Sequence, residues 1–184
     1  MTRADIPNLI SLLRIVLVLP TVVALANEQF VFALVLFAIA GISDGLDGYI
    51  AKRYHYESRL GTILDPLADK LLLVATYVLL ALKELLPMWL MITVVGRDLL
   101  ILAGAGLFYL VVGAYEMAPT LISKFNTLAQ ILLGLAVVFS QGIYALPAQL
   151  IVGLIYLVLA TTIASGADYV WTWGSRALRA KAER

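Results

Sequence analysis

Cysteine is absent from the 184-residue sequence, and histidine occurs once, as His55. The first absence excludes disulfides, thiolate chemistry and cysteine-ligated zinc or iron–sulfur sites. The second excludes a histidine-rich metal site, so any metal bound by this chain must have oxygen ligands. Charged residues are also scarce, at 14%, and a net charge of +1 gives no indication of a nucleic-acid partner.

Apolar residues, in contrast, make up 62% of the chain, whereas soluble domains have ~45–50% apolar residues. A membrane-spanning helix needs ~20 apolar residues. Six segments meet this need, at roughly residues 7–26, 30–51, 62–82, 88–112, 127–146 and 148–172. We therefore predict an all-α, polytopic membrane protein with six transmembrane helices. A single domain would cover residues 1–175, and residues 176–184 would form a short basic cytoplasmic tail.

Lysine and arginine are distributed unevenly over the predicted loops. The opposite-side loops carry only Lys83, whereas the termini and the 52–60 and 113–126 loops carry Arg3, Lys52, Arg53, Arg59, Lys124, Arg176, Arg179, Lys181 and Arg184. Because cytoplasmic loops are enriched in these residues, we predict that both termini and the 52–60 loop face the cytoplasm.

Ionisable residues also occur inside the predicted spans, where each costs ~2.5–3.5 kcal/mol near a helix centre. They are Arg14, Asp44, Asp47, Asp65, Asp69, Lys70, Arg97, Asp98 and Asp168. Intramembrane charges of this kind are functional by default. Two structural alternatives stay open: Arg97 and Asp98 could form a buried ion pair, and Asp168 lies near enough to a span end to reach the interface.

Four aspartates stand out because their spacing is helical. Asp44 and Asp47 share one helical stripe with Gly48 and Ala51, and Asp65 and Asp69 share another with Gly61. A short cytoplasmic loop joins the two spans, so we expect four carboxylates to converge near the cytoplasmic surface. Such a cluster needs cations, and oxygen ligands suit Mg²⁺, Mn²⁺ or Ca²⁺. Two metal ions, Mg²⁺ or Mn²⁺, bridged by a carboxylate would form a phosphoryl-transfer site.

The run from Asp44 to Asp69 resembles the signature of the CDP-alcohol phosphotransferases, D-x2-D-G-x2-A-R-x8-G-x3-D-x3-D. Every fixed position matches except one, where Lys52 replaces the arginine and keeps its charge without the bidentate fork. The start of the chain, residues 6–14, also resembles bacterial phospholipid-synthesising members. The resemblance implies a six-helix homodimer in the cytoplasmic (inner) membrane, with an active site that faces the cytoplasm.

The resemblance further implies residue roles. The phosphatidyl donor would be CDP-diacylglycerol, and CMP would leave. Asp44, Asp47 and Asp65 would hold the metals, and Asp69 would complete the second metal site and act as general base. The nucleotide would lie against a site formed by Asp44, Gly48, Ala51, Lys52 and Gly61.

The acceptor is left open between two phosphate-bearing alcohols. Glycerol-3-phosphate would give phosphatidylglycerophosphate and is placed first, because it is the commoner bacterial acceptor. Phosphatidylglycerol would give cardiolipin, and residues 96–98 and 122–127 resemble the CMP-forming cardiolipin synthases. Arg14, Arg97 and Lys124 are the candidate ligands of the acceptor phosphate.

Two other classes of membrane protein, cation transporters and prenyltransferases, also have carboxylates within the membrane. A cation transporter typically has inverted repeats and midplane sites, but we find no repeat, and the aspartates cluster towards one membrane face. An intramembrane prenyltransferase typically has more spans and a second aspartate motif. Both are therefore less favoured than phosphatidyl transfer.

Overall fold

The computed structural model describes residues 5–54, 61–112 and 120–182, with side chains for residues 13, 15–43, 70–104, 106 and 120–172. Within those ranges the chain forms six α-helices and no strand. They are α1 (Asp5–Ala26), α2 (Phe30–Tyr54), α3 (Gly61–Leu82), α4 (Met88–Val112), α5 (Leu121–Gly142) and α6 (Ala148–Ala182). For the described residues, the prediction of an all-α chain with six helices is confirmed, and six membrane spans stay a prediction.

Three helix boundaries differ from the ends of the predicted spans. Helix α5 begins at Leu121 rather than at 127, because the Thr120 hydroxyl accepts the backbone N–H of Ser123 at 3.2 Å and caps the helix. It ends at Gly142, four residues before the predicted end. Helix α6 continues to Ala182, well beyond residue 172, because its alanine-, leucine- and arginine-rich end favours helix. Most of the predicted tail is therefore helical.

The chain divides into two compact units. The first comprises Met1–Leu85 and Gly134–Leu146, and the second comprises Leu86–Leu133 and Pro147–Arg184. Helix α5 contributes residues to both. The proposal of one domain over residues 1–175 stays a prediction.

In the first unit, α1 packs against both α2 and α3. The buried residues of α2 recur at helical spacing, as Ala33, Leu36 and Ala40, and those of α3 recur as Leu73, Tyr77 and Leu80. Helices α1 and α3 end in the same way. The residue after each C-cap, Glu28 or Glu84, has a positive φ of 60° or 59°. Backbone bonds Gln29 N–H to Ala24 O and Leu85 N–H to Leu80 O then close a Schellman motif at both ends.

In the second unit, α4 packs against α6, and the buried stripes change character along their length. On α4 the stripe runs from Leu90 and Val94 to Arg97 and Asp98. The stripes of α5 and α6 also contain polar residues, namely Asn126, Gln130, Thr162 and Ser165. The second unit thus has a buried interior that is partly polar.

Large apolar side chains cover the exposed faces of several helices. Leu19 is 70% exposed, Leu121 83% and Trp171 80%. Two helices of the side-chain-described ranges, Leu121–Gly142 and Ala148–Thr172, are long and apolar enough to cross a membrane. Shorter apolar stretches lie in α1, α2 and α3. Exposed apolar faces of this extent are typical of contact with lipid or with another protein.

Candidate functional site

The aspartate motif occupies the end of α2 and the start of α3. Asp44 and Asp47 lie about one turn apart in α2, and Asp65 and Asp69 lie one turn apart in α3, with Pro66 between them. This helical register agrees with the two stripes expected from the sequence. The side chains of these four residues lie outside the described part, so their convergence stays a prediction.

The same applies to the other residues expected to contact the nucleotide. Gly48, Ala51 and Lys52 belong to the last turns of α2, and Gly61 is the first residue of α3. Arg14, a candidate ligand of the acceptor phosphate, belongs to α1. Their side chains lie outside the described part, and their roles stay predictions.

Arg97, by contrast, is fully described and lies at the centre of a polar cluster in the second unit. Its side chain is 5% exposed. Nη1 donates to Asp98 Oδ1 at 2.7 Å, and Nη2 donates to Ser123 Oγ at 2.6 Å and also to Ser165 Oγ. The guanidinium is therefore bound to residues of three helices, α4, α5 and α6. These four residues, Arg97, Asp98, Ser123 and Ser165, are called the arginine cluster below.

The ion pair between Arg97 and Asp98 is the structural alternative that the sequence left open, and the structure contains it. Adjacent residues of a helix project about 100° apart, so the two side chains must turn towards each other to pair. A buried charge with no partner is strongly destabilising. Asp98 therefore makes the burial of Arg97 possible, but it does not use all five N–H donors of the guanidinium.

Lys124, the third candidate for the acceptor phosphate, does not join this cluster. It follows Ser123 in the first turns of α5, and its side chain is exposed. The structure therefore separates Lys124 from Arg97 in environment, although both lie in the second unit.

A second set of polar contacts lies one helical turn from the arginine cluster. Asn126 is fully buried, and its Oδ1 accepts hydrogen bonds from the hydroxyls of Thr161 and Thr162, both at 2.9 Å. These bonds join α5 to α6. Asn126 follows Ser123 by three residues in α5, and Thr162 precedes Ser165 by three residues in α6. The two sets of contacts therefore lie on adjacent turns of the same two helices.

Three buried polar atoms near these residues have no hydrogen-bond partner among the described residues: Arg97 Nε, Asn126 Nδ2 and Asp168 Oδ2. Two are donors and one is an acceptor. A buried polar group that makes no bond costs ~1–3 kcal/mol, so native structures usually satisfy such groups with water or a ligand. For Asp168 the sequence left open that the side chain reaches the interface, and its Oδ2 is buried.

Sequence reasoning did not single out Ser123, Asn126, Thr161, Thr162 or Ser165 as functional. The spacing of the polar residues of α5 is the sequence feature that could have identified them. Ser123, Asn126 and Gln130 recur at i, i+3 and i+7 in α5, which places three polar residues on one face of an apolar helix.

Known proteins give independent information. The model of the family described as CDP-alcohol phosphatidyltransferase matches residues 4–164. The human cardiolipin synthase (CMP-forming) is 30% identical over an alignment of 190 positions, gaps included, that covers 95% of this chain and 63% of that protein.

Two bacterial relatives carry the name CDP-diacylglycerol–glycerol-3-phosphate 3-phosphatidyltransferase. The Bacillus subtilis protein is 37% identical over 53% of this chain and 50% of its own length. The Aquifex aeolicus protein is 32% identical over 67% of this chain and 70% of its own length. The chain thus spans less than two thirds of the human and Bacillus relatives.

Proposed function

We propose, since this chain belongs to the CDP-alcohol phosphatidyltransferase family, that it transfers the phosphatidyl group of CDP-diacylglycerol to a phosphate-bearing alcohol and releases CMP. The observation that carries this proposal is the complete aspartate motif from Asp44 to Asp69, whose two halves lie in α2 and α3 with the register of two helical stripes. The reaction belongs to phospholipid biosynthesis.

The donor set suits divalent cations. Mg²⁺ and Mn²⁺ take oxygen ligands, and each helix offers two carboxylates about one turn apart. Asp44, Asp47, Asp65 and Asp69 would hold two such ions. When bound, the ions supply positive charge that offsets the diphosphate and the departing CMP.

Asp69 would also act as the general base. Its carboxylate would take the proton from the acceptor hydroxyl, whose oxygen then bonds to the phosphatidyl phosphorus. The bond between that phosphorus and the CMP oxygen breaks, and the electron pair leaves with CMP. General bases of this kind contribute ~10²–10⁴-fold to rate.

The small residues of the motif support a nucleotide site. Gly48, Ala51 and Gly61 have small side chains or none, and would leave space for the cytidine nucleotide. Lys52 supplies a positive charge for the diphosphate, as a point charge rather than a fork.

Arg97 is the acceptor-phosphate residue that the described side chains support best. A guanidinium bonds strongly to phosphate oxygens, and its buried Nε–H has no partner among the described residues. Arg14 and Lys124 remain proposed as further cations for the same phosphate.

Two acceptors come into consideration. Glycerol-3-phosphate is the acceptor named for the Bacillus and Aquifex relatives, which match 53% and 67% of this chain. Phosphatidylglycerol, the second candidate, would give cardiolipin, and the human cardiolipin synthase (CMP-forming) matches 95% of this chain. Coverage does not favour either acceptor, because the rice chloroplast CDP-diacylglycerol–glycerol-3-phosphate 3-phosphatidyltransferase matches 90% of this chain. Both acceptors present a phosphate and a free hydroxyl, so one site chemistry serves either.

The location and assembly follow the same reasoning. We propose six membrane spans with both termini and the aspartate motif on the cytoplasmic side of the inner membrane, because lysine and arginine concentrate in those loops. We also propose a homodimer, as the family resemblance implies. The apolar outer faces of the helices are compatible with both lipid and a second copy.

The test is transfer by the purified protein in lipid vesicles. CDP-diacylglycerol and Mg²⁺ are supplied with glycerol-3-phosphate in one arm and phosphatidylglycerol in the other, and CMP and lipid products are measured. We expect CMP and one new phospholipid in a single arm, and loss of both after EDTA, restored by Mg²⁺ or Mn²⁺. CMP release in neither arm would contradict the proposed function, and full turnover after EDTA would contradict the metal assignment.

A further inference from the structure

The two serine hydroxyls on Arg97 differ in kind from its carboxylate partner. Asp98 neutralises the guanidinium charge through Nη1. Ser123 and Ser165 both accept from Nη2, and a hydroxyl carries no charge. The two serines therefore fix the direction of the guanidinium and leave its charge unchanged.

The stem of Arg97 is held on the same side as its head group. A Cβ on Gly166, the residue after Ser165, would lie 3.8 Å from Arg97 Cγ, so the stem passes near the backbone of α6 with room for no more than one further methyl group between them. Hydrogen bonds at both Nη1 and Nη2 leave an arginine side chain little rotational freedom. Such immobilisation costs side-chain entropy of up to ~2 kcal/mol, which the protein must recover elsewhere.

Of the nitrogen atoms of Arg97, only Nε is left without a hydrogen-bond partner among the described residues, and it is buried. A structural ion pair would gain stability by satisfying this donor, since an unsatisfied buried donor is costly. Instead, two uncharged serine hydroxyls accept hydrogen bonds from Nη2, while the Nε–H has no partner among the described residues. This arrangement is suited to presenting the Nε–H to a ligand.

We propose that Ser123 and Ser165 are positioning residues. They hold the Nη2 end of Arg97 between α5 and α6, so that the Nε–H keeps a single orientation towards the phosphate of the acceptor. The inference rests on the proposed function for the identity of that phosphate. The orientation of the guanidinium itself can be measured without turnover.

The experiment compares Ser123→Ala and Ser165→Ala with a matched control. Thr127→Ala removes a hydroxyl from the same stretch of α5, but that hydroxyl donates to the backbone carbonyl of Ser123 in its own helix. Ser123→Thr keeps a hydroxyl at position 123. Kinetic constants for both substrates are measured in vesicles, and the melting temperature of each variant is measured in detergent.

We expect each alanine variant to raise the KM for the acceptor about tenfold, the effect of ~1.4 kcal/mol of lost orientation, with the KM for CDP-diacylglycerol unchanged. Ser123→Thr should restore the acceptor KM, and Thr127→Ala should match the wild type. Equal increases in both KM values, or a lower melting temperature with unchanged KM values, would overturn the proposal. If Ser165→Ala does not fold, the half-exposed Ser123 gives the answer alone.

A second readout separates failure of this inference from failure of the proposed function. Phenylglyoxal modifies arginine, and mass spectrometry reports the rate at Arg97. We expect slow modification in the wild type and in Thr127→Ala, and faster modification in both serine variants. An unchanged rate at Arg97 would overturn the positioning role, whether or not the protein transfers to either alcohol. If neither alcohol is a substrate, the proposed function fails while a faster rate still supports positioning.

Discussion

The two units bury their polar groups in different ways. In the first unit, the buried hydroxyls of Thr21 and Thr76 donate to carbonyls of their own helices, those of Leu17 and Leu72, both at 2.7 Å. In the second unit, the buried polar side chains bond between helices. Arg97 joins α4 to α5 and α6, and Asn126 joins α5 to α6. The two buried threonines of the first unit thus bond within their own helices, whereas Arg97 and Asn126 of the second unit join helices to one another.

This difference shows how each unit holds its helices together. Lipid is as apolar as leucine, so helices in a membrane associate through close packing of small residues or through interhelical hydrogen bonds. The first unit follows the former route, with buried alanines such as Ala24, Ala33 and Ala40. The second follows the latter, which fixes the register of its helices and, with it, the orientation of Arg97.

The largest expected effect concerns the chemistry assigned to the first unit. Asp69→Asn removes the proposed base and a proposed metal ligand but conserves the shape of the side chain. We expect transfer to fall by ~10²–10⁴-fold, with an unchanged melting temperature. The control is Asp168→Asn, the same change in the second unit, which should keep turnover near the wild-type rate. Substantial transfer by Asp69→Asn would show that the base lies elsewhere.

The sequence predicts the helices of this chain well, because apolar runs bounded by polar residues define them directly. The predicted ends of the fourth helix, at residues 88 and 112, agree with those of α4. The start of α5 could not be predicted, since a single threonine in a sequence does not by itself mark the start of a helix. Thr120 caps α5 only because its hydroxyl accepts the N–H of Ser123. The extension of α6 was not predicted, because a polar, basic segment after an apolar span is compatible with either a helix or a tail.

The residues of the candidate site were likewise predictable from the sequence only in part. Eight fixed motif positions over 26 residues identify the aspartates without any structure. Arg97 was predicted because a charge within an apolar span is expensive. Ser123, Ser165 and Asn126 were missed because single small polar residues cost little in a span, and only the packing of the helices shows that they face one another.

The close packing of the first unit can be tested at Gly142. A Cβ there would lie 2.9 Å from Phe30 Cβ and 3.0 Å from the backbone nitrogen of Val31. Because backbone atoms cannot rotate away, we expect Gly142→Ala to destabilise the protein by ~1–3 kcal/mol, measured by thermal unfolding in detergent. Gly153→Ala, with nothing within 4 Å, serves as control and should not destabilise. Equal behaviour of the two variants would argue against close approach as the basis of this unit.

The interhelical bonds of the second unit can be tested against the intrahelical bonds of the first. Asn126→Leu removes the acceptor shared by Thr161 and Thr162, and we expect a loss of ~1–2 kcal/mol. Thr21→Val removes a hydroxyl that bonds only within α1, and we expect a change below ~0.5 kcal/mol. Both are measured by unfolding in the same detergent. If Thr21→Val proves as costly as Asn126→Leu, the distinction between the two units is wrong.

The smallest expected effect belongs to the ion pair between Lys83 and Glu28, which lies in the first unit. Nζ of Lys83 lies 3.0 Å from Oε1 of Glu28, and the Glu28 side chain is 70% exposed. Water and salt screen such a pair, so a double-mutant cycle with Lys83→Met and Glu28→Gln should give a coupling below ~1 kcal/mol. The coupling should shrink further at high ionic strength. A larger, salt-independent coupling would mean that this unit, too, depends on a polar contact between its helices, since Glu28 follows α1 and Lys83 follows α3.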